Sequence, residues 1–123
     1  MKRLLMLVTV TLVVISLVAG CVGEVKTYTD SGQAISIGVD QEFVIALGSN
    51  PTTGYGWQES QDELMLELVE KTYKRTGEPV GGGGIEYFRF KALKTGKTEI
   101  TLVYKRPGEE EILEQKVFTV GIK

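Results

Sequence analysis

Apolar and polar residues alternate with a period of two over most of the chain beyond residue 33. Ile35, Ile37 and Val39 alternate with Ser36 and Gly38, and Phe43, Ile45 and Leu47 alternate with Glu42, Val44 and Ala46, with turn material at Asp40 and Gln41 between them. Phe88, Phe90 and Ala92 then oppose Tyr87, Arg89 and Lys91. After a turn over Lys94, Thr95, Gly96 and Lys97, the residues Thr98, Ile100, Leu102 and Tyr104 oppose Glu99, Thr101, Val103 and Lys105. The last run sets Phe118, Val120 and Ile122 against Val117, Thr119 and Gly121. Side chains of a strand point to opposite faces in turn, so each run predicts a half-buried strand. Turn signals recur at the intervals of an all-β sandwich.

One segment fits the pattern poorly. Between Ser60 and Tyr73, Ser60 precedes Glu63 by three residues as in a capping box, and Leu64 with Leu68 and Met65 with Val69 stand at helical spacing. Leu66, Leu68, Val69 and Thr72 suit a strand equally, and a sandwich of this size needs one here. The reading adopted is a turn over 60–64 followed by a strand to about Tyr73.

The N-terminus follows different rules. Lys2 and Arg3 precede an apolar run from Leu4 to Ala19 that is interrupted by Thr9, Thr11 and Ser16. A positive start and a short apolar stretch make a leader, and the run falls short of the roughly 20 residues that span a bilayer. It ends in Leu17, Val18, Ala19, Gly20 and Cys21. This resembles the lipobox of prokaryotic lipoproteins, with Val18 where Leu usually stands. The resemblance implies cleavage after residue 20, lipid on Cys21, and a protein held on the outer side of a membrane. Residues 21–32 are polar with little periodicity and read as a tether to a domain over 33–123. Removal of residues 1–20 leaves 103 residues with 12 basic and 16 acidic side chains, a net charge of −4.

Composition narrows the chemistry. The full chain has 123 residues, room for one domain. It contains no histidine, hence no imidazole general base, no Ser/His or Cys/His nucleophile pair and no imidazole metal ligand. Its single cysteine excludes an internal disulfide framework and a thiolate zinc cage. An acidic balance argues against nucleic acid, whose phosphates draw clustered Lys and Arg. No cofactor or metal is expected, and no enzyme.

Three loops carry unusual residues. The first reads Gly48, Ser49, Asn50, Pro51, Thr52, Thr53, Gly54 and leads into Tyr55, Gly56 and Trp57. Pro51 fixes its own φ and pushes Asn50 toward an extended conformation, and Gly54 can take a positive φ, so this loop is stiff and light in side chains. It also reads simply as a well-formed turn, with Trp57 in the core. The second reads Gly77, Glu78, Pro79, Val80, Gly81, Gly82, Gly83, Gly84. No Lys followed by Ser or Thr comes after it, which argues against a phosphate cradle; a long flexible connection or a surface that a partner approaches closely remains. The third, Lys105, Arg106, Pro107, Gly108, Glu109, has the residues of a hairpin turn, with Glu109, Glu110 and Glu111 as a solvated edge.

Taken together, NPTTGYGW at 50–57, VGGGG at 80–84 and KRPG at 105–108 resemble the three binding loops of the chagasin-like inhibitors of cysteine peptidases. In that family NPTTG is followed by an aromatic residue, GxGG is commonly preceded by Val, and RP is followed by Trp or Phe. Order and spacing agree over about residues 33–122. The resemblance implies an all-β, immunoglobulin-like antiparallel β-sandwich of about 7–8 strands with three binding loops at one end. It implies a monomeric inhibitor whose loops enter the cleft of a papain-like peptidase. Asn50, Pro51, Thr52, Thr53 and Gly54 would lie across the catalytic cysteine, with Tyr55 starting the next strand. Gly81, Gly82, Gly83 and Gly84 would flank the cleft on one side, and Arg106, Pro107 and Gly108 on the other. Gly108 departs from the family aromatic, and the missing contact is worth ~1–3 kcal/mol at an interface. The resemblance therefore implies a weaker or differently selective inhibitor. A lipid-anchored adhesion or assembly module with the same sandwich is the alternative, and it leaves all three loop motifs as coincidence.

Overall fold

The computed structural model describes residues 25–76 and 83–123. The stretch over 1–20 read as a leader, Cys21 as the expected lipidation site, and Gly81 and Gly82 of the second loop lie outside the described residues.

Eight strands follow one another: β1 (Lys26–Tyr28), β2 (Ile35–Ile37), β3 (Glu42–Ser49), β4 (Gly56–Gln61), β5 (Leu66–Arg75), β6 (Gly84–Ala92), β7 (Gly96–Lys105) and β8 (Ile112–Ile122). They form two four-stranded sheets in the orders β1-β3-β6-β5 and β2-β8-β7-β4. This is the immunoglobulin-like sandwich expected from the sequence. The central pairings are antiparallel, while β1 and β2 add parallel strands along β3 and β8.

The alternation translates directly into burial. Along β6 every second residue is buried, from Gly84 through Glu86, Phe88 and Phe90 to Ala92. These side chains meet Phe43, Ile45 and Leu47 of β3 and, from the opposing sheet, Ile100, Leu102, Phe118 and Val120 in one apolar core. Phe43 and Phe90 stack with centroids 5.6 Å apart. Aromatic rings of this size remove 150–250 Å² each from water and dominate the stability of a small sandwich. Lys71 of β5 bridges the open sides of the two sheets: its ammonium donates to the Trp57 carbonyl at 2.9 Å and lies over the Phe88 ring at 5.1 Å.

Two readings are refined. The segment from 60 to 73 is strand rather than helix: β4 runs on to Gln61, the chain turns over 62–65, and β5 leaves at Leu66. A bulge between Leu68 and Glu70 shifts the register against β6. The extra residue, Val69, breaks the period of two and creates the apparent helical spacing. The tether is corrected in extent. Within its 21–32 span, Lys26, Thr27 and Tyr28 pair with Phe43, Val44 and Ile45, and the Tyr28 ring packs edge-on to Phe43 at 6.2 Å. A three-residue edge strand with a single aromatic anchor is too short to show a period, so its polarity alone looked like linker.

Candidate functional site

Register places all three singled-out loops at one end. β3 arrives there at Ser49 opposite Gly84, β5 delivers Arg75 to the same Gly84, and β7 delivers Lys105 opposite Gly56 at the start of β4. The first loop over 50–55, the third over 106–111 and the base of the second, at Thr76 and Gly83, are therefore at the same end.

The first loop is locked by its own side chains. Pro51–Thr53 form one 3-10 turn capped by Asn50, whose φ of −129° and ψ of 89° are the extended geometry that a following proline demands. Asn50 Oδ1 accepts from the Thr52 amide at 3.2 Å and from the Thr52 hydroxyl at 2.5 Å. The Thr53 hydroxyl donates to the Asn50 carbonyl at 2.6 Å. Gly54 ends the turn at φ 83°, with its amide donating to the Pro51 carbonyl at 3.0 Å. A side chain is strained at that φ, which explains the glycine. Pro51, Thr52, Thr53 and Gly54 are nonetheless all exposed. The result is a rigid, small-residue ridge that owes its shape to local bonds.

Beneath the ridge lies an aromatic platform. Tyr104 of β7 stacks on Tyr55 at 5.7 Å and packs against Trp57, its cross-strand partner, at 5.0 Å. Its hydroxyl accepts from the Asn50 amide at 3.0 Å. Trp57, 3% exposed, donates from its indole to the Gly48 carbonyl at 2.8 Å, and its amide donates to the buried Glu86 carboxylate at 3.0 Å. These two bonds run from one sheet to the other, so both ends of the first loop are pinned to the sandwich. Tyr104 and Glu86 went unnoticed in the sequence. Tyr104 had a usable signal, since it directly precedes the KRPG motif; a lone glutamate in an alternating strand has none.

Arg106 has a role within the chain: its guanidinium lies over the Tyr55 ring at 4.5 Å and Nε donates to the Thr53 carbonyl at 3.2 Å. It braces the first loop from the side. An ion pair with Glu109 at 3.9 Å joins two half-exposed groups and adds little. Removing the brace by Arg106→Ala is expected to loosen the first loop by about 1–2 kcal/mol, the size of a hydrogen bond and a cation–π contact at an exposed site. Limited proteolysis at the 52–54 segment checks it: cutting no faster than in the parent shows that the loop keeps its shape without the brace.

The remaining residues are positioned as follows. The Glu109 amide donates to the Arg106 carbonyl at 3.1 Å, and Gly108 has φ 80°, so Pro107 and Gly108 are the central pair of a type II turn. Nothing lies within 4 Å of a side chain begun at Gly108. Close by, Ile112 and Leu113 are exposed, 47% and 54%. Gly83 lies beside the entry to the first loop, where a Cβ would sit 3.2 Å from the Ser49 carbonyl, too tight without a shift. Its own carbonyl accepts from the Thr76 amide and hydroxyl, each at 3.3 Å, which closes the base of the second loop.

Residues 36–122 match the family model described as the chagasin family of peptidase inhibitors, I42. The chain belongs to this family. It is thus an inhibitor by descent and not an enzyme. Among its relatives is chagasin of Trypanosoma cruzi, 30% identical over 103 residues that cover 79% of this chain and 94% of the relative. The crystal structure of a cysteine protease inhibitor from Entamoeba histolytica superposes with a TM-score of 0.69 at 27% identity, covering 82% of this chain and 99% of that one. The fold is shared as well with PbICP-C, whose structure is in complex with falcipain-2, at a TM-score of 0.51 and 21% identity, over 83% of this chain and 96% of that one.

Proposed function

We propose that this chagasin-family protein reversibly inhibits papain-like cysteine peptidases by occluding their active-site cleft with three loops, and that lipid on Cys21 holds it on the outer side of a membrane. The observation that carries the reading is the first loop itself, a rigid exposed ridge closed by its own hydrogen bonds and braced by Arg106 of the third loop. A peptidase cleft binds extended backbone and cleaves it when the scissile carbonyl reaches the thiolate in near-attack geometry. A 3-10 turn closed by Asn50, Pro51 and Gly54 presents backbone but cannot extend into that pose. Rigidity before binding also removes the ordering cost that a flexible loop would carry. Glycines of the second loop let backbone approach the enzyme wall without a Cβ between. The inhibitor complexed with falcipain-2 supports a peptidase as the partner.

The decisive measurement is an inhibition constant for residues 24–123 against papain. Competitive, reversible inhibition with the first loop uncut agrees with the proposal; no inhibition across a panel of papain-like enzymes overturns it.

The third loop provides a finer test. Gly108→Trp restores the family aromatic in open space but places it at a left-handed φ, which strains a side chain by ~1–2 kcal/mol. Two changes of opposite sign are expected: a melting temperature lower by roughly 4–16 °C, and an inhibition constant improved by up to ~150-fold at temperatures where the variant is folded. An unchanged inhibition constant shows that the third loop makes no such contact.

A further inference from the structure

We propose that the end of the sandwich opposite the three loops is a membrane-facing base, seated on the bilayer surface through Val39, Leu64 and Leu93. The proposal rests on the reading of Cys21 as the lipidated residue.

Strand directions make the argument. β1 runs parallel to β3, with Lys26 beside Phe43 near the start of β3, whereas the first loop follows the end of β3 at Ser49. The chain therefore enters the domain at the pole farthest from the inhibitory loops. The same pole holds the turns over 38–41, 62–65 and 93–95. They are tied together: the Leu93 amide donates to the Met65 carbonyl at 2.8 Å, and the Asp40 amide to the Ala92 carbonyl at 2.7 Å.

Each of these turns presents one large apolar side chain to solvent. Leu64 is 79% exposed, the highest value among the exposed large hydrophobic residues described, and Leu93 and Val39 are 38% and 37% exposed. Val25, 42% exposed, stands at the point of chain entry. Turn tips are ordinarily polar, whereas these carry apolar side chains open to solvent. Lys26, Lys94, Lys97 and Lys123 are exposed around them, but Asp40, Asp62 and Glu63 are too. Mixed charge of this kind makes the contact apolar in character rather than a charge-driven one.

Tether length selects the occupant. From Cys21 to Lys26 the chain can reach at most ~18 Å at ~3.6 Å per residue. β8 alone, with 11 residues, is about twice that length at ~3.4 Å per residue. A domain held this closely cannot turn its loops to the lipid without bending a fully extended tether alongside itself, whereas its entry pole lies at the surface already. Lipid chains supply the anchor, and three apolar side chains add a second contact that fixes orientation. The loops then project outward, toward peptidases arriving from solution.

The test uses the full lipidated chain in vesicles of phosphatidylethanolamine and phosphatidylglycerol. Lipidation consumes the thiol of Cys21, so Leu64→Cys, Leu93→Cys and Thr53→Cys each introduce one unique site for a polarity-sensitive fluorophore. A quencher carried on lipid chains near the headgroups is expected to extinguish the label at 64 and 93 and to leave the label at 53 bright. Equal quenching at 53 and 64, with Cys21 acylated by mass spectrometry of the N-terminal peptide, overturns the base while leaving the anchor intact. An unmodified Cys21 overturns the anchor, and the base with it. Leu64 is so exposed that its replacement leaves the fold unaffected, and far-ultraviolet circular dichroism verifies this for all three variants.

Discussion

Thr53→Trp is expected to raise the inhibition constant against papain by ~30-fold or more, the effect of disrupting a residue at the centre of an interface, where single substitutions reach ~2 kcal/mol and above. Thr53 sits at the crest of the ridge, exposed, with its carbonyl held by Arg106 at 3.2 Å. On the proposed placement, an indole there fills the space that the catalytic thiol would occupy. Its hydroxyl bond to Asn50 is lost as well, a local effect of ~0.5–1.5 kcal/mol. The melting temperature therefore falls by only a few degrees while inhibition collapses. Unchanged inhibition refutes the central placement of the first loop; a melting temperature lowered far beyond this range assigns the loss to unfolding instead.

The second large effect belongs to Gly84, and it acts on the scaffold and the second loop together. Gly84 pairs with Ser49 on one side and Arg75 on the other, at the point where the second loop enters β6. A Cβ built there would collide with the Lys74 carbonyl and the Tyr73 hydroxyl. The tyrosine can swing away, but the carbonyl belongs to the backbone of β5, so the two strands must part. Gly84→Ala is expected to destabilise the domain by ~2 kcal/mol, the middle of the range for overpacking, and to lower its melting temperature by roughly 8–16 °C. Inhibition weakens even where the variant is folded, because the second loop leaves β5 and β6 at that point. Gly48→Ala is the control: nothing lies within 4 Å of its added methyl, and neither quantity should move appreciably.

These outcomes depend on features that were unequally visible in the sequence. The alternation in β3, β6, β7 and β8 was legible because each strand has one face in the core, and a period of two survives wherever the ladder is regular. It failed in β5, where the bulge at Val69 inserts one residue and moves the pattern to the opposite face. It failed again in β1, whose three residues hold a single half-buried anchor, Tyr28. The stiffness of the first loop was readable from Pro51 and Gly54 alone, and the observed φ values of Asn50 and Gly54 agree with it. Local steric rules act on neighbouring residues and so need no tertiary information.

Arg106 shows the opposite case. Its sequence context, KRPG, predicts a turn and nothing about direction; only the pairing of β4 with β7 brings it over Tyr55 and within reach of Thr53, 53 positions away. Tyr104 and Glu86 gained their roles the same way, through partners 54 and 29 residues distant. The poles of the molecule were equally hidden, because Lys26, Val39, Leu64 and Leu93 are scattered along the chain and share an end only through strand direction.

What the sequence determined by itself was therefore the strands with an unbroken period of two, the stiffness of the first loop and the family, all properties of residues close in the chain or of motifs in a fixed order. Tertiary structure alone decided which loop braces which, and which end of the domain stands nearest its N-terminal tether. Such contacts join residues that attract one another weakly, and it is the burial of the shared core, driven by Phe43, Phe88, Phe90 and Phe118, that brings them together.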